Sequence, residues 1–152
     1  MAEKPVIRRE SELSRDSSTN IHIPSCIFSR ELSSYETIVK FLKEAYSLSI
    51  QEIAKLLFKK KQSVWRAYTE ACKTHPQSLS VTNLFFPIPI SIFSQDKTTL
   101  ECLVVFLKDE YKLSYSEVAS LIMRDDRTVW TVYQKAKRWI TNSYSGLVQW
   151  FL

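Results

Sequence analysis

The chain has 152 residues, 45% of them hydrophobic and 24% charged, so it can bury a core and is not a disordered polymer. A single glycine, Gly146, and five prolines leave little material for Gly-rich phosphate loops, β-hairpin turns or dinucleotide-binding fingerprints, so a helical protein is the simplest reading. The formal net charge of +5 permits an anionic partner without requiring one.

Residues 1–20 are charged and serine-rich and read as a disordered tail. No apolar run approaches the roughly 20 residues of a membrane helix, so a soluble, cytoplasmic protein with no membrane partner is expected. Ile21 to Phe28 is β-branched and interrupted by proline, which predicts an extended, packed arm. Ser33-x-x-Glu36 reads as a capping box, a hydroxyl and a carboxylate satisfying free backbone N–H groups, and opens a helix through Ile38, Phe41 and Leu42. Ser49-x-x-Glu52 opens a second, shorter helix with Ile53, Leu56 and Leu57 on its apolar face. After a polar break, Val64, Tyr68 and Ala71 recur at helical spacing and mark a third helix. Residues 76–84 read as a linker.

The pattern then repeats. Aligning Ile23-Pro24 with Ile88-Pro89 carries on without a gap through Phe41-Leu42-Lys43 on Phe106-Leu107-Lys108 and Val64-Trp65 on Val129-Trp130. About twenty of roughly fifty aligned positions are identical, which identifies a duplicated unit. Phe85 to Phe93 is the second arm, Thr98-x-x-Glu101 and Ser114-x-x-Glu117 are the second pair of boxes, and Val129, Tyr133 and Ala136 mark the last helix. The expected fold is all-α: two tandem three-helix helix-turn-helix units, 21–75 and 85–152, each led by a short extended arm. The second unit ends on the apolar Trp150-Phe151-Leu152, which either packs back on that unit or makes a homodimer contact.

Cysteines at 26, 72 and 102 are odd in number and form no C-x-x-C, so three reduced thiols are expected rather than disulfides or zinc ligands. The two histidines, His22 and His75, fall in an arm and at the linker without a nucleophile motif, and read as solvent-facing. Glu36, Glu52, Glu101 and Glu117 are explained by helix ends. No enzyme, metal or cofactor is expected.

In each copy the second and third helices read Glu-hydrophobic-Ala, paired aliphatics, then Ser-Val or Thr-Val: Glu52-Ile53-Ala54, Leu56-Leu57, Ser63-Val64 and Glu117-Val118-Ala119, Leu121-Ile122, Thr128-Val129. Over about 25 residues per copy this resembles the helix-turn-helix of sigma factor region 4 and of LuxR-type regulators. Where those families carry glycine in the turn this chain has Phe58 or Met123, followed by Lys59 or Arg124. The resemblance implies double-stranded DNA binding in transcription regulation, with the third helix of each copy in the major groove. The outward side chains would be Gln62, Ser63, Arg66, Thr69 and Lys73 in the first copy, and Arg127, Thr128, Thr131, Gln134, Lys135 and Arg138 in the second. Arg and Gln can grip guanine and adenine with paired hydrogen bonds, each worth about 1–3 kcal/mol of discrimination. A polar wet face of a helix is the plainer account of the same residues.

Charge separates the copies: residues 23–75 carry nine Lys or Arg and five acids, residues 88–141 eight and seven. By the resemblance, Lys59, Lys60 and Lys61 at the first turn would lie beside phosphates. The second turn reads Arg124-Asp125-Asp126-Arg127, where Arg124, like Arg127, is a candidate DNA contact and Asp complements the helix dipole but repels phosphate. Trp65 and Trp130 follow the anchoring valines, and with Ala67 and Val132 they read as a second apolar stripe. Core or interdomain packing is the first account of the tryptophans, and contact with thymine methyls or a partner the second. The rival function is therefore a protein-interaction module that docks on RNA polymerase or another protein through the Trp stripe. Tandem copies imply an asymmetric DNA site unless the chain dimerises.

Overall fold

The computed structural model describes residues 20–151, with side chains described through residue 138. The tail expected over 1–20 and the packing of Trp150-Phe151-Leu152 lie outside what is described, Asn20 apart. The fold is all-α: α1 (Ser34–Ala45), α2 (Ile50–Leu57), α3 (Lys61–Thr74), α4 (Thr99–Asp109), α5 (Tyr115–Ile122) and α6 (Asp126–Phe151), with one two-stranded ladder between β1 (His22–Ile23) and β2 (Ile88–Pro89). Within each copy the third helix packs against the first and second.

The predicted capping residues start the helices, in two grades. Ser49 with Glu52 and Ser114 with Glu117 form reciprocal boxes, the carboxylates accepting from the cap N–H at 2.8 and 3.4 Å. Ser33 and Thr98 also accept from the third amide of α1 and α4, but Glu36 and Glu101 do not reach back. Glu101 is buried and faces Lys135 at 3.6 Å instead, which explains its departure.

Turns are closed without glycine. Phe58 and Met123 end α2 and α5 in the left-handed region, at φ 55 and 56, and the next amides, Lys59 and Arg124, bond back to Ala54 and Ala119 at 2.9 and 3.0 Å. Ser47 and Lys112, again equivalent in the two copies, have φ 53 and 57. The glycine-type turn geometry is thus kept by side chains for which it costs about 1–2 kcal/mol.

The arms pair with each other rather than each with its own unit. Ile23 stands opposite Ile88 and His22 opposite Pro89, antiparallel, and Ile90 N–H donates to the Ile21 carbonyl at 3.0 Å. Because equivalent residues face one another, the two copies are related by a pseudo-two-fold axis through the Ile23–Ile88 pair. The rest of the packing obeys it. Tyr46 and Tyr111 hold their arms by donating to the His22 and Pro87 carbonyls at 3.2 and 2.6 Å. The 3-10 turn Ser25–Ile27 then packs on α5 of the other copy, the turn Ile90–Ile92 packs on α2, and α1 meets α4. One continuous core results: Ile23, Ile38, Leu42, Ile53, Ile88, Leu103, Leu107 and Ile122 are all fully buried within a single cluster. The chain between the copies is pinned to the first arm, with Ser25 Oγ donating to the Phe85 carbonyl at 2.7 Å and Cys26 Sγ to that of Asn83 at 3.3 Å.

Candidate nucleic-acid interface

α3 turns Val64, Ala67 and Ala71 inward, small residues that admit close approach of α1. The opposite face is therefore wet. Lys60, Lys61, Gln62, Ser63, Arg66 and Lys73 are exposed, and Lys59 and Thr69 half-buried. Thr69 Oγ1 is turned back to the Trp65 carbonyl at 2.8 Å. Lys73 pairs with Glu70 at 3.3 Å, an exposed pair worth little. Lys59, Lys60, Lys61 and Arg66 have no carboxylate partner among the described residues. α3 also starts without a side-chain cap and without an acid in its first turn, so its free N–H groups add partial positive charge beside the three lysines. Tyr35 of α1 fixes this end through a hydroxyl-to-hydroxyl bond of 3.0 Å with Ser63.

The same place in the second copy has the opposite character. Asp125 and Asp126 replace Lys60 and Lys61, and Asp126 accepts from Ser116 Oγ at 2.6 Å. Arg124 is not free for a ligand with its whole fork: Nη2 donates to the Leu32 carbonyl at 2.8 Å and Nη1 to those of Met123 and Ser29 at 3.1 and 3.3 Å. It ties the second copy's turn to the segment before α1. Arg127, Thr131, Lys135 and Arg138 are exposed, and Thr128 and Gln134 half-buried. Thr131 bonds back to the Arg127 carbonyl at 2.8 Å, and Gln134 reaches Tyr115 at 3.4 Å.

α6 is held by a cluster that the sequence reading passed over. Asp109 of α4 accepts from Tyr133 at 2.8 Å and from Lys137 at 2.6 Å, while Lys108 lies 4.0 Å over the Tyr115 ring. Burial pushes the Asp109 carboxyl up, but the bonds from Lys137 and Tyr133 outweigh it and hold it below its usual range. The same bond keeps the Lys137 ammonium above its ordinary value. In the first copy the position of Lys137 is Cys72, whose hydrogen bond raises Tyr68. Only a pairing of Asp109 with residues 24 and 28 positions away would have revealed this, and helical periodicity does not report such contacts.

The tryptophans correct an expectation. Trp65 is 58% and Trp130 52% exposed, so neither fills the core or the space between copies. Each lies one residue, about 100° of helix, beyond its buried valine, and the inward positions are already taken. Ala67 is buried and Val132 half-buried, so no continuous apolar stripe runs along either helix. His22 is exposed; His75 is half-buried, 3.8 Å from Glu31. Among the described residues the three cysteines are unpaired, no group of three or more His, Cys, Asp or Glu could hold a metal, and no helix is long and apolar enough to cross a membrane. Compared with protein-family models, curated proteins and solved structures, the chain matches none.

Proposed function

We propose that this chain binds double-stranded DNA through α3 and α6 and acts in transcription regulation. The observation that carries the reading is the positive end of α3: Lys59, Lys60, Lys61 and Arg66 without carboxylate partners among the described residues, around a helix N-terminus with neither cap nor acid. That is the arrangement a phosphate backbone attracts. In this reading Lys59 to Lys61 grip phosphates, and Gln62, Ser63 and Arg66 enter the groove. The second copy, with Asp125 and Asp126 at the equivalent turn, adds selectivity through Arg127, Thr131 and Arg138 more than affinity. The likeness to sigma factor region 4 and LuxR-type domains supports the same assignment. Because the copies meet about a pseudo-two-fold axis, the preferred site has two inverted, non-identical half-sites, not the tandem ones that direct repeats imply.

One observation favours a second reading, a module that docks on RNA polymerase or another protein: Trp65 and Trp130 are both exposed on the outer faces of α3 and α6. Anisotropy of a labelled duplex, titrated at several salt concentrations with the parent chain and with Lys59, Lys60 and Lys61 replaced by alanine, separates the two. If all three lysines sit on phosphates, the triple variant lowers the log–log salt slope by about 2.7, at 0.9 per contact. A folded parent that binds no duplex at low salt refutes the DNA reading.

A further inference from the structure

A cleft of about 410 Å³ opens on the pseudo-two-fold axis, where the N-termini of α1 and α4 come together. Ser33 and Ser34 line it from one copy, Thr98 and Thr99 from the other, with Lys59 and Arg124 on its walls. At each helix start the cap hydroxyl takes the third amide and the cap carbonyl takes the fourth, which leaves the first two N–H groups, on Ser34 and Tyr35 and on Thr99 and Leu100, without intrahelical partners. All four of those residues line the cleft, and among the described residues no carboxylate does. A second, independent observation points to a ligand. Ser34 is only 5% exposed, and its Oγ is the one buried side-chain oxygen or nitrogen among the described residues that has no hydrogen-bond partner. Buried hydroxyls are normally satisfied, so one left without an acceptor beside four free amides and a lysine calls for an oxygen-rich guest.

We propose that this cleft binds a phosphate-class oxyanion, with Ser34 Oγ and the first amides of α1 and α4 donating to its oxygens and Lys59 neutralising it. Two helix dipoles converge there, each favouring negative charge at its N-terminus. The same chemistry is offered by free inorganic phosphate and by a phosphodiester of a nucleic-acid backbone. Binding of inorganic phosphate does not depend on the chain recognising DNA, so the site and the DNA reading can fail separately.

The test is calorimetric titration of the full chain with inorganic phosphate at constant ionic strength, against chloride, for the parent, Ser34→Ala and Lys59→Met. One phosphate per chain is expected, weakened at least tenfold by either substitution. Ser34→Ala removes an unsatisfied group, so its thermal midpoint should equal or exceed the parent's while phosphate binding falls, an outcome that a purely structural serine would not give. Absence of phosphate binding in the parent, or binding that Ser34→Ala leaves unchanged, overturns the proposal. Duplex titration of Ser34→Ala identifies the source: weaker duplex binding assigns the site to a backbone phosphate, and unchanged duplex binding with lost phosphate binding assigns it to the free oxyanion.

Discussion

Lys40 is the largest side chain in the core with no exposure at all, and its ammonium meets Glu44 Oε1 at 2.5 Å, one helical turn on. Glu44→Ala strands that charge. Removing one member of a buried pair costs about 3–5 kcal/mol. The Glu44 side chain is 26% exposed, and water reaching it places the expected loss at the low end, about 3 kcal/mol. For a chain of 152 residues each kcal/mol moves the midpoint by about 2–4 °C, so Tm should fall by about 6–12 °C. Lys40→Met keeps an unbranched stem without the charge. The second copy already has valine, Val105, at the equivalent position. Replacing a buried pair by apolar groups is commonly neutral or stabilising by about 1–4 kcal/mol, so Lys40→Met, and the double variant with Glu44→Ala, should melt at or above the parent temperature. Thermal and urea denaturation followed by far-ultraviolet circular dichroism measures all three variants. If Lys40→Met loses as much as Glu44→Ala, the ion pair itself holds α1 in place, and the argument from a stranded charge is wrong.

Phe58→Gly and Met123→Gly should each raise stability, since relief of about 1–2 kcal/mol of left-handed strain exceeds the roughly 0.4–1 kcal/mol of added unfolded-state freedom; urea midpoints below the parent's would show that these exposed side chains contribute more than they strain. Asp109 has a folded pKa below its ordinary value of 3.8, so the stability it gives is present above that pH and is lost as pH falls through the depressed pKa. Tm measured from pH 5 to pH 2 should therefore drop more steeply in the parent than in Asp109→Asn, and parallel curves would exclude the linkage. Arg124→Lys loses the fork that spans the Ser29 and Leu32 carbonyls and should cost about 1–3 kcal/mol in urea unfolding, with no effect expected if Arg124 serves only a ligand. Ile88→Ala, in the arm pair, should lower stability by about 2–5 kcal/mol and leave a single transition for both copies, because the core is continuous; two resolved transitions would mean that the copies unfold independently.

Helices were legible in this sequence because their signals are local. Ser49-x-x-Glu52 and Ser114-x-x-Glu117 form the full boxes their spacing predicts, and Val64 and Val129 anchor their helices with no exposure. The half-formed boxes were not legible, since whether Glu101 turns to its own cap or to Lys135 depends on a helix 34 residues away. The tryptophans were misread for a related reason. A large aromatic repeated in both copies suggests burial by its size, but its angular offset from the valine decides which way it faces, and that offset places it on the wet side. Ser34 left one faint trace, the paired hydroxyls Ser33-Ser34 and Thr98-Thr99, of which capping explains only the first of each.

The operator relating the two copies is what a repeat cannot report. Equivalent residues are specified by the alignment whether the units stand in tandem or face each other, and contacts between the copies, the pairing of Ile23 with Ile88 first among them, distinguish the two. Once that pairing is known, the differences between copies acquire a direction. Positions on the shared core and its axis are kept: Ile23 and Ile88, Leu42 and Leu107, Ala54 and Ala119, Val64 and Val129. Exposed positions at the ends of α3 and α6 have reversed sign, Lys60 and Lys61 against Asp125 and Asp126. A pseudo-symmetric frame therefore carries an asymmetric surface. On the proposed reading an anionic partner meets attraction at one turn and repulsion at its mate, which would leave encounter to the first copy and discrimination among partners to the second.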